Sequence, residues 1–405
     1  VCSSDLSCSY GPGRYDDKYE QAGQDYPLGY VRWTEQRNFE AILDMLASGR
    51  LDVAPLITHR FPLDEAPAAY QTVQTDRSAL GVILEYHQEV KLARAITLPV
   101  TQTAQPGQAA VGLIGAGNFA KITLCPALSK TGARLVAVAD LQGHAAQHLA
   151  TKFGFEQAVT DYQLILQDAH VDAVLIAVGH NLHAKFVCET LAAGKHAFVE
   201  KPLAMSMDEL RQVVAGVQKT PGKHVMVGFN RRFSPHMVKI KQLLAGRGEP
   251  LAMTFTANAG FIPPEVWVHD PVRGGGRIVG EACHFIDLMV FLSGSKVRSV
   301  AAHWMGRGVA TREDKMAISL GFEDGSVGTV NYFANGSKAY PKETLEVFSD
   351  QRVIRMDNFR RTVGYGFKGF SQFKTRRQDK GHAAEFAAFV ERVRSGGEPL
   401  IPLDE

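Results

Sequence analysis

The chain has 405 residues, with 44 lysines and arginines against 42 aspartates and glutamates, a formal balance of +2. That length holds two or three domains with sizeable cores, and the even charge excludes bulk electrostatic binding of nucleic acid or an anionic membrane. Five cysteines, at 2, 8, 125, 188 and 283, are odd in number and lack C-x-x-C spacing, so neither a disulfide framework nor a metal site is expected and a cytoplasmic location fits best.

No apolar run reaches the length of a membrane span, and the start lacks a signal-peptide pattern. Residues 1–6, V-C-S-S-D-L, fit no periodic pattern and read as extraneous sequence joined to a truncated gene. From there to about residue 90, a helix is expected over 35–47, with Phe39, Ile42, Leu43 and Leu46 on one face and Ser48-Gly49 as its stop. A strand over 56–61, a helix over 64–73 and a strand over 79–86 follow. Such a piece, residues 1–90, is thin for a self-sufficient domain and reads as the end of a larger one. Residues 91–108 are polar, lack core periodicity and read as a linker.

A second domain, 109–233, begins with strand and helix patterns in alternation. Strands are expected at 110–114, 134–139, 173–178, 196–200 and 225–230, with helices to Lys130, to Phe153 and over 183–193. Alternation of this kind gives a doubly wound parallel sheet covered on both faces. From 234 to 405 the pattern becomes an α+β domain with a large open, mostly antiparallel sheet. Six strands are expected there, at 251–257, 297–304, 315–322, 326–333, 344–349 and 352–356, interrupted by one long helix over 277–292. That helix should cover one face of the sheet, leaving the other open for a partner, so a homodimer or dimer of dimers is expected.

The strongest motif opens the second domain. Residues 111–117 read V-G-L-I-G-A-G, followed by Asn118, Phe119 and Ala120. Gly115 permits a tight turn, Gly117 lets the backbone approach a pyrophosphate, and small Ala120 lets the helix pack on the strand. The next strand ends in Asp140, twenty residues after Ala120, where a carboxylate would take the ribose hydroxyls. A carboxylate repels a 2′-phosphate, and the following Leu141-Gln142 supplies no arginine, so NAD is expected over NADP.

Two groups could carry chemistry. Glu200-Lys201-Pro202 follows an apolar strand, which sets Lys201 at the carboxyl edge of the parallel sheet, where its ammonium could polarise a substrate oxygen and pass a proton. His284 has the basicity to take a hydroxyl proton as hydride leaves the same carbon, and i, i+3 spacing puts Glu281 and Asp287 near its face. Arg231 and Arg232 could steer an anionic substrate or form structural ion pairs. The basic stretch 367–380 reads as a solvated face more readily than as an anion-binding loop. Cys283 reads as a small buried hydrophobe, and His59 as a strand-end hydrogen-bonder.

Residues 109–400 resemble the Gfo/Idh/MocA oxidoreductases. The resemblance rests on the G-A-G turn, V-D-A-V-L-I-A, N-L-H-A at 181–184, A-G-K-H-A-F-V-E-K-P at 193–202, G-F-N-R-R-F-S-P at 228–235 and G-G-G-R-I-V-G-E-A-C-H-F-I-D at 274–287. It implies an NAD-binding Rossmann domain followed by an open α/β sheet, and hydride transfer at a carbinol or carbonyl carbon of a sugar, sugar nucleotide or polyol. It further implies Lys201 beside nicotinamide and substrate, His284 as proton acceptor, and cofactor contacts from Gly115, Gly117, Asn118, Phe119, Ala120, Asp140, Ala177, Val178, His183, Glu200, Lys201 and Pro202. Helix N-terminal capping is an equal alternative for His183. Two departures stand out: Gly280 replaces the usual Asp four residues before His284, for which Glu281 could substitute, and Val178-Gly179-His180 replaces the usual T-P-N.

Residues 29–70, L-I-T-H-R-F above all, resemble the C-terminal end of zinc-type medium-chain alcohol dehydrogenases, so the whole resembles a truncated bi-domain oxidoreductase. Two rivals to net dehydrogenation stay open at this point. One is an NAD-dependent lyase or glycosidase that borrows and returns hydride. The other is a non-catalytic NAD-binding sensor or assembly subunit.

Overall fold

The computed structural model describes residues 11–86, 93–99, 105, 107–306 and 314–405. The reading of residues 1–6 and cysteines 2 and 8 lie outside these. The chain divides into two compact units, Val1–Leu92 and Ala93–Glu405.

In the first unit the expected helix forms at Glu35–Ala47, and β1 (Ile57–Pro62) pairs in parallel with β2 (Gly81–Glu85) across a helix at Ala66–Thr75. Two short parallel strands cannot bury two apolar helix faces. Of residues 11–86 only Gly13, Thr34 and Ala69 are buried, and Phe39, Ile42, Leu43 and Leu46 lie 37–63% exposed.

The second unit carries a seven-stranded sheet. Its strands are β3 (Ala95–Thr97), β4 (Ala110–Ile114), β5 (Arg134–Ala139), β6 (Gln157–Val159), β7 (Ala173–Ile176), β8 (His196–Val199) and β9 (Val225–Val227), in spatial order β3-β6-β5-β4-β7-β8-β9. All pairs are parallel except β3 with β6. Strand β4 is buried along its whole length, as expected for the middle of a sheet covered on both faces. The chain leaves β4 toward β5 on one side and returns to β7 on the other, so a crevice opens at the carboxyl ends of β4 and β7.

Three expectations need correction here. The segment read as a linker contributes β3, whose three residues complete the sheet edge without any periodicity that a sequence pattern could register. The helix after the glycine turn has a π-helical stretch, Ala120–Leu124, before the α-helical Cys125–Leu128. Finally, the C-terminal helix His382–Ser395 does not join the domain that precedes it. Its Phe386 and Phe389 pack in the Rossmann core, 4.8 and 5.5 Å from the Phe198 ring, so the contiguous boundary read at 233/234 is crossed by a returning segment.

The second sheet has eight strands rather than six: β10 (Ala252–Asn258), β11 (Val297–Trp304), β12 (Lys315–Phe322), β13 (Val327–Phe333), β14 (Glu343–Ser349), β15 (Arg352–Asp357), β16 (Arg361–Tyr365) and β17 (Gln372–Lys374). It is antiparallel except for β10 with β13. Strand β17, three residues long, falls within the basic stretch 367–380 read as a solvated face. Ile318, Leu320, Val330, Tyr332, Leu345 and Val347 face a helix at Cys283–Ser293, where Phe255 stacks on Phe285 at 4.3 Å. The opposite face leaves Val327, Phe333 and Phe348 exposed. The expected single helix over 277–292 is a π-helical turn, Ile278–Ala282, followed by the α-helix Cys283–Ser293.

Candidate active site

The glycine turn sits at the carboxyl end of β4. Gly115 has φ +103°, and a Cβ there would run into the Ala177 carbonyl oxygen and the Val178 side chain, so Ala177 and Val178 form the wall of the turn. A Cβ on Gly117 would meet nothing within 4 Å, and Gly117 and Asn118 are exposed. The turn therefore offers an open backbone cradle of the kind a pyrophosphate fills. Ala120 is fully buried and seats the helix, while Phe119 packs on the Rossmann core with its ring 6.1 Å from His382. The Ala116 N–H donates to Asp140 Oδ2 at 2.8 Å, which holds the carboxylate at the rim of the cradle, the position a ribose diol needs. These residues fit NAD.

His183 is buried rather than facing the crevice. Its Nδ1 lies 2.6 Å from the Pro202 carbonyl and its Nε2 3.2 Å from the Val178 carbonyl, so the ring sits between the loop after β7 and the Lys201-Pro202 turn, whose peptide bond is cis, with its one N–H best placed for the nearer Pro202 oxygen. Burial pushes its imidazole down to about 4, so the ring is neutral. Glu200 lies under Gly228, where an added Cβ would come within 3.0 Å of its carboxyl, and burial raises that carboxyl to about 7.

Lys201 and His284, far apart in sequence, line one cavity of about 260 Å³ with Arg231, Glu281, Tyr332, Lys342 and Glu343. Lys201 Nζ donates to the Gly280 carbonyl at 2.9 Å. His284 Nδ1 is buried and has no hydrogen-bond partner among the described residues. Burial first, then the charges of Arg231 and Lys201, hold the imidazole well below its ordinary value, which leaves a neutral base.

Of its two expected companions, one arrives. Glu281 accepts from the Tyr332 hydroxyl at 2.6 Å and from Arg277 Nε at 3.2 Å. Burial alone would raise its carboxyl, but Tyr332, Arg277 and Lys201 outweigh it and the group sits below its ordinary value. Asp287 instead forms a buried ion pair with Arg232, which also reaches Glu405, so Asp287 and Arg232 are structural. His284 and Asp287 share the regular α-helix that follows the π-helical turn, so their spacing holds and it is the Arg232 ion pair that claims the Asp287 carboxylate. Cys283 is half-buried, and burial pushes its thiol up to about 11, so it is no nucleophile.

Gly280 has a reason of its own. A Cβ there would stand 2.8 Å from His180 Cε1. His180 bonds the Gly274 carbonyl through Nδ1 at 2.8 Å and meets Trp267 edge-on at 5.0 Å. The two departures noted separately in the sequence are thus neighbours in space, the imidazole filling room that a side chain on residue 280 would take.

Sequence reasoning missed the far wall. Glu343, 1% exposed, accepts from Arg231 Nε at 2.9 Å, Arg231 Nη2 at 3.0 Å and Lys380 Nζ at 2.6 Å. Burial would raise its carboxyl, yet Arg231 and Lys380 bring it down to about 2. Lys380 belongs to the stretch read as solvated, and only the fold reveals its partner. No group of three or more His, Cys, Asp or Glu able to hold a metal occurs among the described residues. No helix among them is long and apolar enough to cross a membrane.

Comparison with known proteins agrees with this geometry. Residues 109–229 match the family model for the GFO/IDH/MocA oxidoreductases, NAD-binding Rossmann fold, and residues 237–355 match the GFO/IDH/MocA C-terminal domain. An uncharacterized oxidoreductase, YrbE, from Bacillus subtilis (strain 168) is 30% identical over 268 residues, 63% of this chain and 76% of its own length. The myo-inositol 2-dehydrogenase of Thermotoga maritima is 26% identical over 72% of this chain and 90% of its own, and the inositol 2-dehydrogenase of Rhizobium meliloti 29% identical over 71% and 89%. In three dimensions, levoglucosan dehydrogenase in complex with NADH and levoglucosan superposes with a TM-score of 0.65 at 22% identity, over 73% of this chain and 92% of that one, a likeness of fold. A chain with the Rossmann crevice, the second sheet and both family matches in this order belongs to the GFO/IDH/MocA family of NAD-binding oxidoreductases.

Proposed function

We propose that this protein is an NAD-dependent dehydrogenase acting on a CH–OH group of a sugar or polyol, with Lys201 and His284 as its catalytic pair. The observation that carries the reading is the convergence of these two side chains, 83 positions apart, on one cavity beside the carboxyl edge of the parallel sheet. The turn shaped by Gly115, with Gly117, Asn118 and Asp140, would hold NAD, which supplies the hydride acceptor in oxidation and the donor in reduction. His284, neutral and desolvated, takes the proton from the reacting hydroxyl. Lys201, fixed by the Gly280 carbonyl, donates a hydrogen bond to the same oxygen and favours its developing negative charge. Tyr332 and Arg277 keep Glu281 ionised as an acceptor for a neighbouring hydroxyl. The inositol dehydrogenases among the relatives support a polyhydroxylated ring as substrate.

Formation of NADH on mixing protein, NAD and a panel of sugars and inositols tests the proposal. Sugar turnover without net NADH would point instead to borrowed hydride, and NAD binding without turnover to a sensor. Calorimetry should show tighter binding of NAD than NADP.

Three further readings belong to the same proposal. The exposed Val327, Phe333 and Phe348 support pairing of two chains through the second sheet, and a light-scattering mass of one chain at micromolar concentration would remove it. The resemblance of residues 29–70 to alcohol dehydrogenases rests on their sequence alone. The scattered cysteines support a reducing, cytoplasmic setting.

A further inference from the structure

Both carboxylates that line the cavity are already engaged by the chain itself. Glu343 is gripped by Arg231 and Lys380, and Glu281 by Tyr332 and Arg277. The cations are not matched in turn. Lys201 donates to a carbonyl rather than to a carboxylate. Lys342 lines the cavity and is exposed, and its ammonium has no hydrogen bond or ion pair among the described residues. Arg231 spends Nε and Nη2 on Glu343 but has only a 3.5 Å contact to Asn230 Oδ1 for Nη1.

Lys201, Arg231, Lys342 and Lys380 therefore stand against Glu281 and Glu343, and Arg277 is shared between Glu281 and Asp314. Nearby acids do not restore the balance. Asp287 is committed to Arg232, Asp314 is divided between Lys315 and Arg277, and Glu200 lies behind Lys201 with its carboxyl raised to about 7. An excess of fixed positive charge in a partly enclosed cleft draws anions and disfavours a neutral guest that leaves it unopposed. Oxidised nicotinamide would add one more positive charge.

Resting on the assignment of this cavity as the substrate site, we propose that the substrate is a sugar acid, a single ring or chain bearing a carboxylate that Arg231 Nη1 and Lys342 receive while its reacting hydroxyl meets Lys201 and His284. A guanidinium N–H and an ammonium lining one cavity suit a carboxylate, and charge-assisted hydrogen bonds of this sort are roughly twice as strong as neutral ones. The cavity, at about 260 Å³, is small beside the roughly 300–1,000 Å³ of pockets for drug-sized ligands, which suits a monosaccharide acid.

The test uses the full chain saturated with NAD. Galactose, glucose and myo-inositol are compared with galacturonate, glucuronate and gluconate, by calorimetric binding and by NADH formation in parallel. At least one acid should bind about tenfold or more tighter than its neutral counterpart. The advantage should shrink as salt rises, and Lys342→Gln should collapse the acid-to-neutral ratio several-fold. Equal or tighter binding of the neutral sugars, a ratio unmoved by salt and by Lys342→Gln, or binding of no acid at all would each overturn the inference. Tight acid binding without NADH would sustain the anion site and overturn the dehydrogenase reading. NADH formed from neutral polyols without acid preference would do the reverse.

Discussion

The helix Glu35–Ala47 and the helix Cys283–Ser293 arise from the same kind of evidence, an apolar face at helical spacing, yet they meet opposite fates. Phe285, Leu288, Met289 and Leu292 are at most 3% exposed, whereas Phe39, Ile42, Leu43 and Leu46 are 37–63% exposed. The second helix has an eight-stranded sheet to lie on, and the first unit offers a sheet of two strands. Periodicity specifies a helix and the face it would bury, but the energy comes from the surface that receives it. Everything proposed here for chemistry lies in the unit where such surfaces exist.

The sharpest way to break that contrast is to alter the catalytic pair. His284→Ala should lower kcat by about 10²–10⁴ and Lys201→Met by a similar factor, read as initial rates of NADH formation. Rates unchanged within about twofold would remove these residues from the mechanism.

Next in size are the core substitutions. Phe386→Ala removes a fully buried ring from between the C-terminal helix and β8, and should cost about 3–5 kcal/mol in denaturant unfolding. Phe39→Ala, on the open stripe, should cost under about 0.5 kcal/mol. Equal costs would show that the first unit is packed after all.

Acid should erode the second unit. Burial depresses the imidazoles of His183, His196 and His382 to about 4, so the unfolded chain binds their protons near the ordinary 6.5 and the folded chain does not. Their stabilisation is complete above pH 6.5 and is lost as pH falls toward 4, on the order of 3 kcal/mol for His183. Glu200, Asp287 and Glu385, raised by burial, act in the opposite sense, favouring the fold at low pH and losing that contribution as pH rises. His180, His224, His236 and His284 are also depressed, so the histidines outnumber the acids and Tm should fall between pH 7 and pH 5. A Tm that rises over that interval would contradict the assignment.

The smallest effect separates cofactor from fold. Gly117→Ala adds a methyl group to empty space and should leave Tm within a degree or two, while weakening NAD about tenfold as the cradle fills. Gly115→Ala should lower Tm whether or not NAD is present, because its φ of +103° and the Ala177 carbonyl oppose a side chain.

Much of this was legible before any coordinates. The strand-turn pattern around Gly115 and the run ending at Lys201 carry their chemistry in sequence order, because a parallel sheet brings successive strand ends to one edge. Strands of three residues such as β3 and β17 leave no period to detect. Asp287 keeps its helical spacing from His284, but its carboxylate is claimed by Arg232, a distant partner that spacing does not reveal. Glu343 and Tyr332 reach the cavity through tertiary pairing across the second sheet, and Lys380 reaches Glu343, relations that composition and spacing do not encode. The relation of His180 to Gly280 was likewise present only as two unconnected departures.

The most direct test of the central claim is rapid mixing of the full chain and NAD with substrate deuterated at the reacting carbinol carbon, followed by isolation of the nicotinamide. The expected result is one deuterium delivered to the reduced nicotinamide per substrate oxidised, with that transfer lost in Lys201→Met and His284→Ala while NAD still binds. Product formed with no deuterium on the nicotinamide, or transfer undiminished in both variants, would contradict it.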